Sequence, residues 1–345
     1  MLKGGGWPRM VTIKEIADAL GVAVSTVSKS LSGASDVSER TRERVLDAAV
    51  AMGYAPKKVR AKGMKKLCVL VDNMDFSDRE GLAYDVVTGF RQLAARSHWE
   101  VEVLSGKGQM REHGNYDSFM LRNGMSGAFL LGFRPQDPFL RGLEATTVPT
   151  VLFDRDVPGD HIGYVGSDSA AGIRMLLTLL CENGHKRIAF LNGPLDAMVS
   201  VEREETFCAL LREKGLEPAR ELIARGEFYV DYAPKFVEGF LKAGATAILC
   251  ASDVIAAGVL RELSRLGVRV PEEVSVAGFD DLPIAAKVKP ALTTVRQDRA
   301  SLGKSAFLVL DGLLHGVRVS KMLLRPTLVV RASVGPVRGR EFNKN

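Results

Sequence analysis

Apolar residues recur at helical spacing in two short stretches near the start of the chain, which a Gly21-Val22 dipeptide separates. At the head of the first stretch, Thr12 and Glu15 have the spacing of an N-terminal capping box. The apolar positions of the first stretch are Ile13, Ile16, Ala17 and Leu20. Those of the second are Val24, Val27 and Leu31. The spacing predicts two amphipathic helices joined by a tight turn, which is a helix-turn-helix.

The second helix of this pair is predicted to read DNA bases. It leaves Ser25, Ser28 and Lys29 facing outward and is short enough to enter a major groove. A third helix is predicted to follow from Ser38, with Thr41 in its first turn and a buried stripe at Val45, Ala48, Ala49 and Met52. The three helices make a predicted headpiece over residues 10–57, preceded by a disordered arm over residues 1–9.

Any two helices joined by a glycine can give the same spacing without binding DNA. The distribution of charge along the chain argues against this alternative. Residues 1–66 carry 13 Lys or Arg against 6 Asp or Glu, whereas the whole chain carries 47 against 41. The rest of the chain is therefore close to neutral. A basic N-terminal segment on an otherwise neutral chain is typical of a small domain that contacts phosphate groups, while the rest of the chain has another function.

Beyond residue 66, short apolar runs alternate with longer helical patterns, which is typical of an α/β fold. The predicted strands are Leu67–Val71, Val101–Leu104, Ala128–Leu131, Thr150–Phe153, Arg187–Leu191, Ala247–Cys250 and Val274–Phe279. The predicted helices are Tyr84–Arg96, Ala170–Glu182, Arg203–Lys214, Val254–Leu266 and Arg299–His315. Strands that are apolar throughout indicate parallel sheets covered on both faces. Because the region is long for one sheet, we expect two similar lobes, each a doubly wound parallel sheet.

Polar residues follow several predicted strands at the edge where such sheets bind ligands. Asp154, Asp253 and Asp280 each come soon after an apolar run, and Arg203 is placed near the start of a helix. Carboxylates accept hydroxyl hydrogens and arginine donates through a planar fork, so this set suits a neutral polyhydroxy ligand such as a sugar. The alternative for each aspartate is a structural cap on the next helix.

Other functional classes lack their sequence features. There is no P-loop, HExxH or GxSxG motif, and we expect neither a catalytic site nor a metal or other cofactor. The five histidines are scattered at His98, His113, His161, His185 and His315. The cysteines are widely spaced in apolar surroundings and are interpreted as reduced core thiols: Cys68, Cys181, Cys208 and Cys250. Without an apolar run long enough for a membrane span or a secretion leader, a cytoplasmic protein is expected rather than a periplasmic sugar-binding protein.

Several longer motifs give the chain a specific resemblance. They are VTIKEIADALGVAVSTVSKSLSG, DVSERTRERVLDAAVAMGYAP, GHKRIAFLNGP, LGVRVPEEVSVAGFDDLP and PALTTVRQD. With these motifs, residues 11–336 resemble transcription regulators of the lactose/galactose repressor (LacI/GalR) family. The resemblance implies a headpiece, a hinge over residues 58–66, a core over 67–336 similar to periplasmic sugar-binding proteins, and a tail over 337–345. It places lobe one at about 67–165 plus 295–325, and lobe two at about 166–294 plus a C-terminal strand.

The resemblance also implies which headpiece residues meet DNA. Val24, Ser25 and Lys29 fall where the family reads base edges, and a lysine there lacks the bidentate fork of the more frequent arginine. The positions that hold phosphates or set the register are Thr12, Thr26, Ser28, Ser38, Thr41 and Tyr54. The expected partners are a near-palindromic operator in double-stranded DNA and a second copy of the chain, giving a homodimer.

The hinge departs from the family pattern. Lys57 stands where the family has asparagine, and Gly63 stands where it has the leucine that wedges into the minor groove. Met64 could supply an apolar wedge if the hinge helix shifts by one residue. The alternative is a plain basic linker that touches only phosphate. Both readings stay open from the sequence.

For the cleft between the lobes, the resemblance implies a small-molecule effector that switches operator affinity. The implied effector-binding residues are Phe76, Asp154, Arg203, Phe228, Ser252, Asp253 and Asp280. Phe207 is the other aromatic candidate, for which core packing is the competing interpretation. The effector is expected to be a sugar or sugar derivative and the protein a repressor. The alternatives are a regulator that responds to a purine or another metabolite, and an activator.

Overall fold

The computed structural model describes residues 11–31, 34, 36–52, 54, 65–105 and 116–337. The predictions for the arm, for Lys57, Gly63 and Met64, and for the tail beyond residue 337 lie outside these residues.

Three helices form the headpiece, and they confirm the predicted helix-turn-helix and its third helix. They are α1 (Ile13–Leu20), α2 (Val24–Leu31) and α3 (Glu39–Ala51). The capping box is present, since the backbone N–H of Glu15 donates to the Thr12 hydroxyl and the Thr12 N–H donates to the Glu15 carboxylate. Gly21 ends α1 at φ +64°, a left-handed conformation that favours glycine. The fully buried apolar residues are Ile16, Ala17, Val27, Val45 and Ala49.

Val24 corrects the predicted stripe of the second helix. It is 48% exposed, whereas Ser30 is buried and donates to the Thr26 carbonyl. The buried face of α2 is therefore rotated toward Val27 and Ser30, because Val24 lies in the first turn, beyond the reach of the other two helices.

A six-stranded parallel sheet forms the first part of the core. Its order is β11-β5-β4-β3-β1-β2. The strands are β1 (Lys65–Val71), β2 (Trp99–Ser105), β3 (Ala128–Leu131), β4 (Thr150–Phe153), β5 (Ile162–Ser167) and β11 (Lys321–Leu324). Helices α4 (Leu82–Arg96) and α11 (Arg299–Leu314) pack together over one core cluster, in which Phe90 stacks on Phe129. Helix α5 (Tyr116–Arg122) covers a second cluster that contains Tyr116, Phe119 and Phe139.

A second parallel sheet has four strands in the order β7-β6-β8-β9. They are β6 (Ile188–Asn192), β7 (Ile223–Arg225), β8 (Ala247–Cys250) and β9 (Ser275–Ala277). The helices of this part are α6 (Ser169–Glu182), α7 (Met198–Glu213), α8 (Pro234–Lys242), α9 (Asp253–Arg265) and α10 (Pro283–Lys287). A separate antiparallel pair joins β10 (Thr294–Arg296) to β12 (Thr327–Val329).

The α/β class with two parallel-sheet lobes is confirmed, and the lobes differ in size, since one sheet has six strands and the other four. Strands β5, β7, β10, β11 and β12 were not predicted. Most are three or four residues long, and β11 alternates exposed with half-buried residues instead of being apolar throughout. All four cysteines are free, as predicted. Within the described residues, no helix combines the length and the apolar character that a membrane crossing requires.

Candidate effector cleft and DNA-contacting surface

Two of the predicted aspartates, one directly after a strand and the other three residues after a strand, have positive φ angles. Asp154, after β4, has φ +51°, and Asp280, after β9, has φ +118°. Asn73, near the end of β1, also has a positive φ, of +50°. Non-glycine residues pay an energetic cost in this region, and such positions concentrate at functional sites. Non-glycine residues with positive φ angles therefore lie near strand ends in both sheets.

Asp154 lies in a poorly solvated position beside Arg203 and Tyr164. Desolvation raises the pKa of the Asp154 carboxyl to about 7, although the positive charge of Arg203 and a hydrogen bond from the Tyr164 hydroxyl oppose the rise. The negative charge of Asp280 raises the pKa further, so the two carboxyl groups sense each other. A carboxyl group with this pKa can either donate or accept a hydrogen bond near neutral pH.

Asp280 is buried and is held by Gln297, whose Nε2 donates to Asp280 Oδ1 at 2.6 Å. Desolvation raises the pKa of Asp280, and the charge of Arg203 opposes the rise. Within the described chain, Gln297 Oε1 and Asp72 Oδ1 are buried without a hydrogen-bond partner. Buried polar atoms normally have partners, so these two acceptors fit a place where a ligand donates.

Arg203 lies in the second turn of α7, because that helix begins at Met198 and not at Arg203 as predicted. The start was missed because Glu202, Glu204 and Glu205 hide the apolar stripe of the first turns. The guanidinium is buried, lies 3.8 Å from the centre of the Phe279 ring, and donates through Nη1 to the Ala251 carbonyl at 2.5 Å. Nε donates to Ser169 Oγ at 3.3 Å. These contacts hold the guanidinium in place, and its charge acts on both Asp154 and Asp280.

Ser252 and Asp253 form hydrogen bonds within the protein, and it is Ser252, not Asp253, that caps the next helix. The Ser252 hydroxyl accepts the N–H of Ile255 and caps α9. Asp253 is fully buried, and its two oxygens accept from Thr294 Oγ1 at 2.5 Å and from the Leu282 N–H at 2.7 Å. Both carboxylate oxygens are thus occupied within the protein.

The aromatic candidates have different surroundings. Phe207 is buried and stacks on Phe190 with ring centres 4.8 Å apart, so it belongs to the core. The ring of Phe228 lies flat against Gly193, where a Cβ would come within 2.3 Å of it. Phe76 is half-buried and packs against the core of the first sheet.

Ion pairs join the two parts of the core around these residues. Lys287 of α10 pairs with Glu80 at 2.5 Å, and Arg134 pairs with Asp196 at 3.5 Å. Sequence reasoning missed these contacts, and also missed Tyr164, Gln297 and Asp72. Gln297 lies in the TVRQD motif and Asp72 directly follows the first strand. Either position could have indicated a place in the candidate site.

The headpiece places its predicted DNA residues in two groups. Val24, Ser25, Ser28 and Lys29 are exposed on α2. Lys29 forms an ion pair with Asp36, which lowers the pKa of that carboxyl. Thr12 and Ser38 cap α1 and α3, and the Ser38 and Thr41 hydroxyls are hydrogen-bonded. Thr26 and Tyr54 are half-buried. The first group is exposed along one helix, whereas Thr12, Ser38 and Thr41 are engaged at the starts of two others.

Two family models match separate parts of the chain. Residues 12–57 match the model for bacterial regulatory proteins of the lacI family. Residues 177–334 match the model for a periplasmic binding protein-like domain. The two matches correspond to the headpiece and to the region from α6 to the last strand.

Relatives and solved structures match nearly the whole chain. The transcriptional regulator CelR of Thermobifida fusca is 29% identical over 336 residues, which cover 94% of this chain and 98% of the relative. The transcriptional repressor CytR of Escherichia coli K12 is 29% identical over 93% of this chain and 96% of its own length. The PurR repressor of Vibrio vulnificus is 27% identical over 94% and 99%.

Among solved structures, a CelR–cellobiose complex has a TM-score of 0.71 at 28% identity and covers 94% of this chain and 99% of its own. The Lac repressor bound to ONPG in the repressed state has a TM-score of 0.67 at 26% identity, with 94% and 100% covered. These relatives regulate transcription and are not enzymes, in agreement with the sequence. The chain therefore carries a LacI-family DNA-binding domain and a periplasmic-binding-protein-like core, and along nearly its whole length it is similar to transcription regulators of the LacI family.

Proposed function

We propose that this protein is a cytoplasmic repressor that binds a near-palindromic operator as a homodimer. In this proposal a sugar or sugar derivative in the cleft between the lobes switches its affinity for DNA. The observation that carries the proposal is the arrangement of Arg203 between Asp154 and Asp280, whose charges act on each other. The likeness to a regulator solved with cellobiose supports a carbohydrate.

Asp154 and Asp280 are assigned to ligand hydroxyl groups, and the guanidinium of Arg203 donates to ligand oxygens. Gln297 and Asp72 join them, since each carries a buried acceptor without a partner among the described residues. Phe228 and Phe76 are assigned to the apolar walls, whereas Ser252 and Asp253 support α9 and the loop beneath the ligand. The two lobes are the six-stranded and four-stranded parts, joined by the chain segments near residues 167, 297 and 325.

The switch is an equilibrium between relative positions of the lobes. A ligand shifts such an equilibrium only by its difference in affinity for the two arrangements, and a full reversal requires about 5.5 kcal/mol. On the DNA side, Val24, Ser25 and Lys29 contact base edges. Thr12, Thr26, Ser28, Ser38, Thr41, Tyr54 and Lys57 hold phosphates or set the register.

A thermal-shift screen of the full chain tests the effector. The panel contains cellobiose and other sugars, sugar phosphates, polyols and nucleobases, because a ligand that binds the folded state raises the melting temperature. A sugar that stabilises the wild type and not the Arg203→Ala or Asp280→Ala variants supports the proposal. A sugar that stabilises all three equally contradicts the site assignment.

A purine-responsive regulator is the second candidate, favoured by the 27% identity to PurR repressors over 94% of the chain. Stabilisation by a purine base, with no response to any sugar, would replace the carbohydrate proposal. A sugar and a purine would both bind in the cleft between the lobes. Loss of stabilisation in Arg203→Ala and Asp280→Ala distinguishes binding in this cleft from binding elsewhere.

A further inference from the structure

Helix α3 of the headpiece lies against helix α5 of the six-stranded lobe. The guanidinium of Arg122, at the end of α5, reaches Asp47 at 3.2 Å and Glu43 at 3.9 Å, and both acids are on α3. Leu121, the residue before it, packs against the hydrophobic cluster of the headpiece. Apolar and ionic contacts therefore join the same two helices, independently of the linker.

The contact continues along one side of α3. Val50, Ala51 and Tyr54 of the headpiece face Tyr116, Leu121 and Met125 of the lobe across a cavity of about 330 Å³. The remaining wall comes from the turns between residues 141 and 148. A cavity of this size means that the interface is incompletely packed. Such an interface can form and separate more readily than a closely packed core.

The orientation produced by this contact leaves the reading helix free. Val24 is 48% exposed, and Ser25 and Ser28 are also exposed, so α2 does not face the lobe. A headpiece docked in this way can still present α2 to a DNA groove.

We propose that the outer face of α5, centred on Leu121 and Arg122, is a docking surface for the headpiece of the same chain. The docked headpiece has its orientation fixed before DNA arrives, so binding loses less conformational freedom than it would with a headpiece held by the linker alone. This goes beyond effector control, because the contact needs no ligand in the cleft. Through this contact, a movement of the six-stranded lobe also displaces α3 directly.

Hydrogen exchange of the full-length protein tests the contact. Arg122→Glu places like charges beside Glu43 and Asp47, and we expect exchange over residues 39–51 to rise about 2- to 5-fold, the size typical of an exposed ion pair. The Asp47→Arg/Arg122→Glu double variant reverses the pair and should restore the wild-type rate. Leu121→Ser, which removes the apolar contact, should raise exchange over the same residues.

Binding to a random-sequence DNA duplex provides the second measurement. Arg122→Glu should weaken binding about 2- to 5-fold more than Arg174→Glu does. The control makes the same charge change at an exposed arginine paired with Glu213 in the other lobe. The proposal is overturned if exchange over residues 39–51 is unchanged in both Arg122→Glu and Leu121→Ser, if the charge reversal fails to restore it, or if the two arginine variants bind DNA equally.

Discussion

Gln297 and Asp280 are joined by a hydrogen bond of 2.6 Å between the Gln297 amide and the Asp280 carboxyl. Gln297 lies where the chain passes from β10 toward α11, and Asp280 follows β9. The bond therefore links the passage between the lobes to the end of a strand in the cleft. In the proposed effector switch, a ligand that contacts either group therefore also contacts a connection between the lobes.

Replacing Gln297 by Leu should weaken the effector response while leaving the fold intact. The variant removes the donor to Asp280 and leaves a buried carboxyl without it, which costs about 1–3 kcal/mol. We expect the effector concentration for half-maximal change in DNA binding to rise about tenfold or more. Isothermal titration with the stabilising sugar checks this. Gln297→Glu puts a second carboxyl beside Asp280, so a variant that bound as tightly as wild type would contradict the role assigned to the amide.

Asp154→Asn should raise the melting temperature of the ligand-free protein. Desolvation raises the pKa of Asp154 to about 7, well above its unfolded value. At pH values below the pKa of the unfolded state, the Asp154 carboxyl is protonated in both the folded and the unfolded chain. It then does not lower the free energy of unfolding. As pH rises toward 7 the unfolded chain loses its proton first, so the folded state loses relative stability.

The difference in melting temperature between Asp154→Asn and wild type should therefore grow from pH 4 to pH 7.5. The neutral amide keeps an acceptor for the Tyr164 hydroxyl and has no charge to desolvate. Asp160→Asn, at an exposed carboxylate, is the matched control and should show no such trend. A constant difference across this range would mean that Asp154 is well solvated.

His185 should make the protein less stable below pH 6.5. Its Nε2 lies 3.0 Å from the Gly335 carbonyl, which only accepts, so Nε2 carries the proton and Nδ1 accepts from Thr246. Burial lowers the pKa of His185. As pH falls the unfolded chain gains a proton that the folded chain does not, and stability declines until the folded pKa is reached. Urea unfolding between pH 7.5 and 5 should show a smaller decline for His185→Gln, while His161→Gln, at an exposed histidine, should follow wild type.

Gly63→Leu should tighten operator binding if the hinge uses an apolar wedge. A leucine restores the side chain that the family inserts into the minor groove and removes a glycine that costs a helix about 1 kcal/mol relative to alanine. Fluorescence anisotropy with a selected operator measures the change, which we expect to be about tenfold. Gly63→Ala separates helix stabilisation from wedging. Equal affinity of wild type and both variants would favour the plain basic linker.

Much of the architecture could be predicted because apolar runs mark buried strands. β3, β4 and β8 are wholly buried, as is β1 from Leu67 to Val71, and the sequence located each of them. β11 was missed because it lies at the sheet edge, where only part of each side chain is covered. β5 was missed because its two glycines interrupt the apolar run, although all six of its residues are buried.

Asp154 and Asp280 could be found because each comes directly after an apolar run in the sequence. The sequence could not distinguish them from Asp253, whose carboxylate is used by Thr294 and Leu282, because that difference depends on chain segments distant in sequence. Tyr164 lies within β5 and was missed together with that strand.

The position of β11 has a consequence for how the protein is made. This strand, residues 321–324, pairs with β5 at the far edge of a sheet whose other strands all precede residue 168. A ribosome must therefore synthesise the whole four-stranded part before the first sheet can be completed. The headpiece, whose own core is built from three helices adjacent in sequence, can fold early, because local contacts form fastest. During synthesis, a DNA-binding module then exists before the domain that controls it is finished.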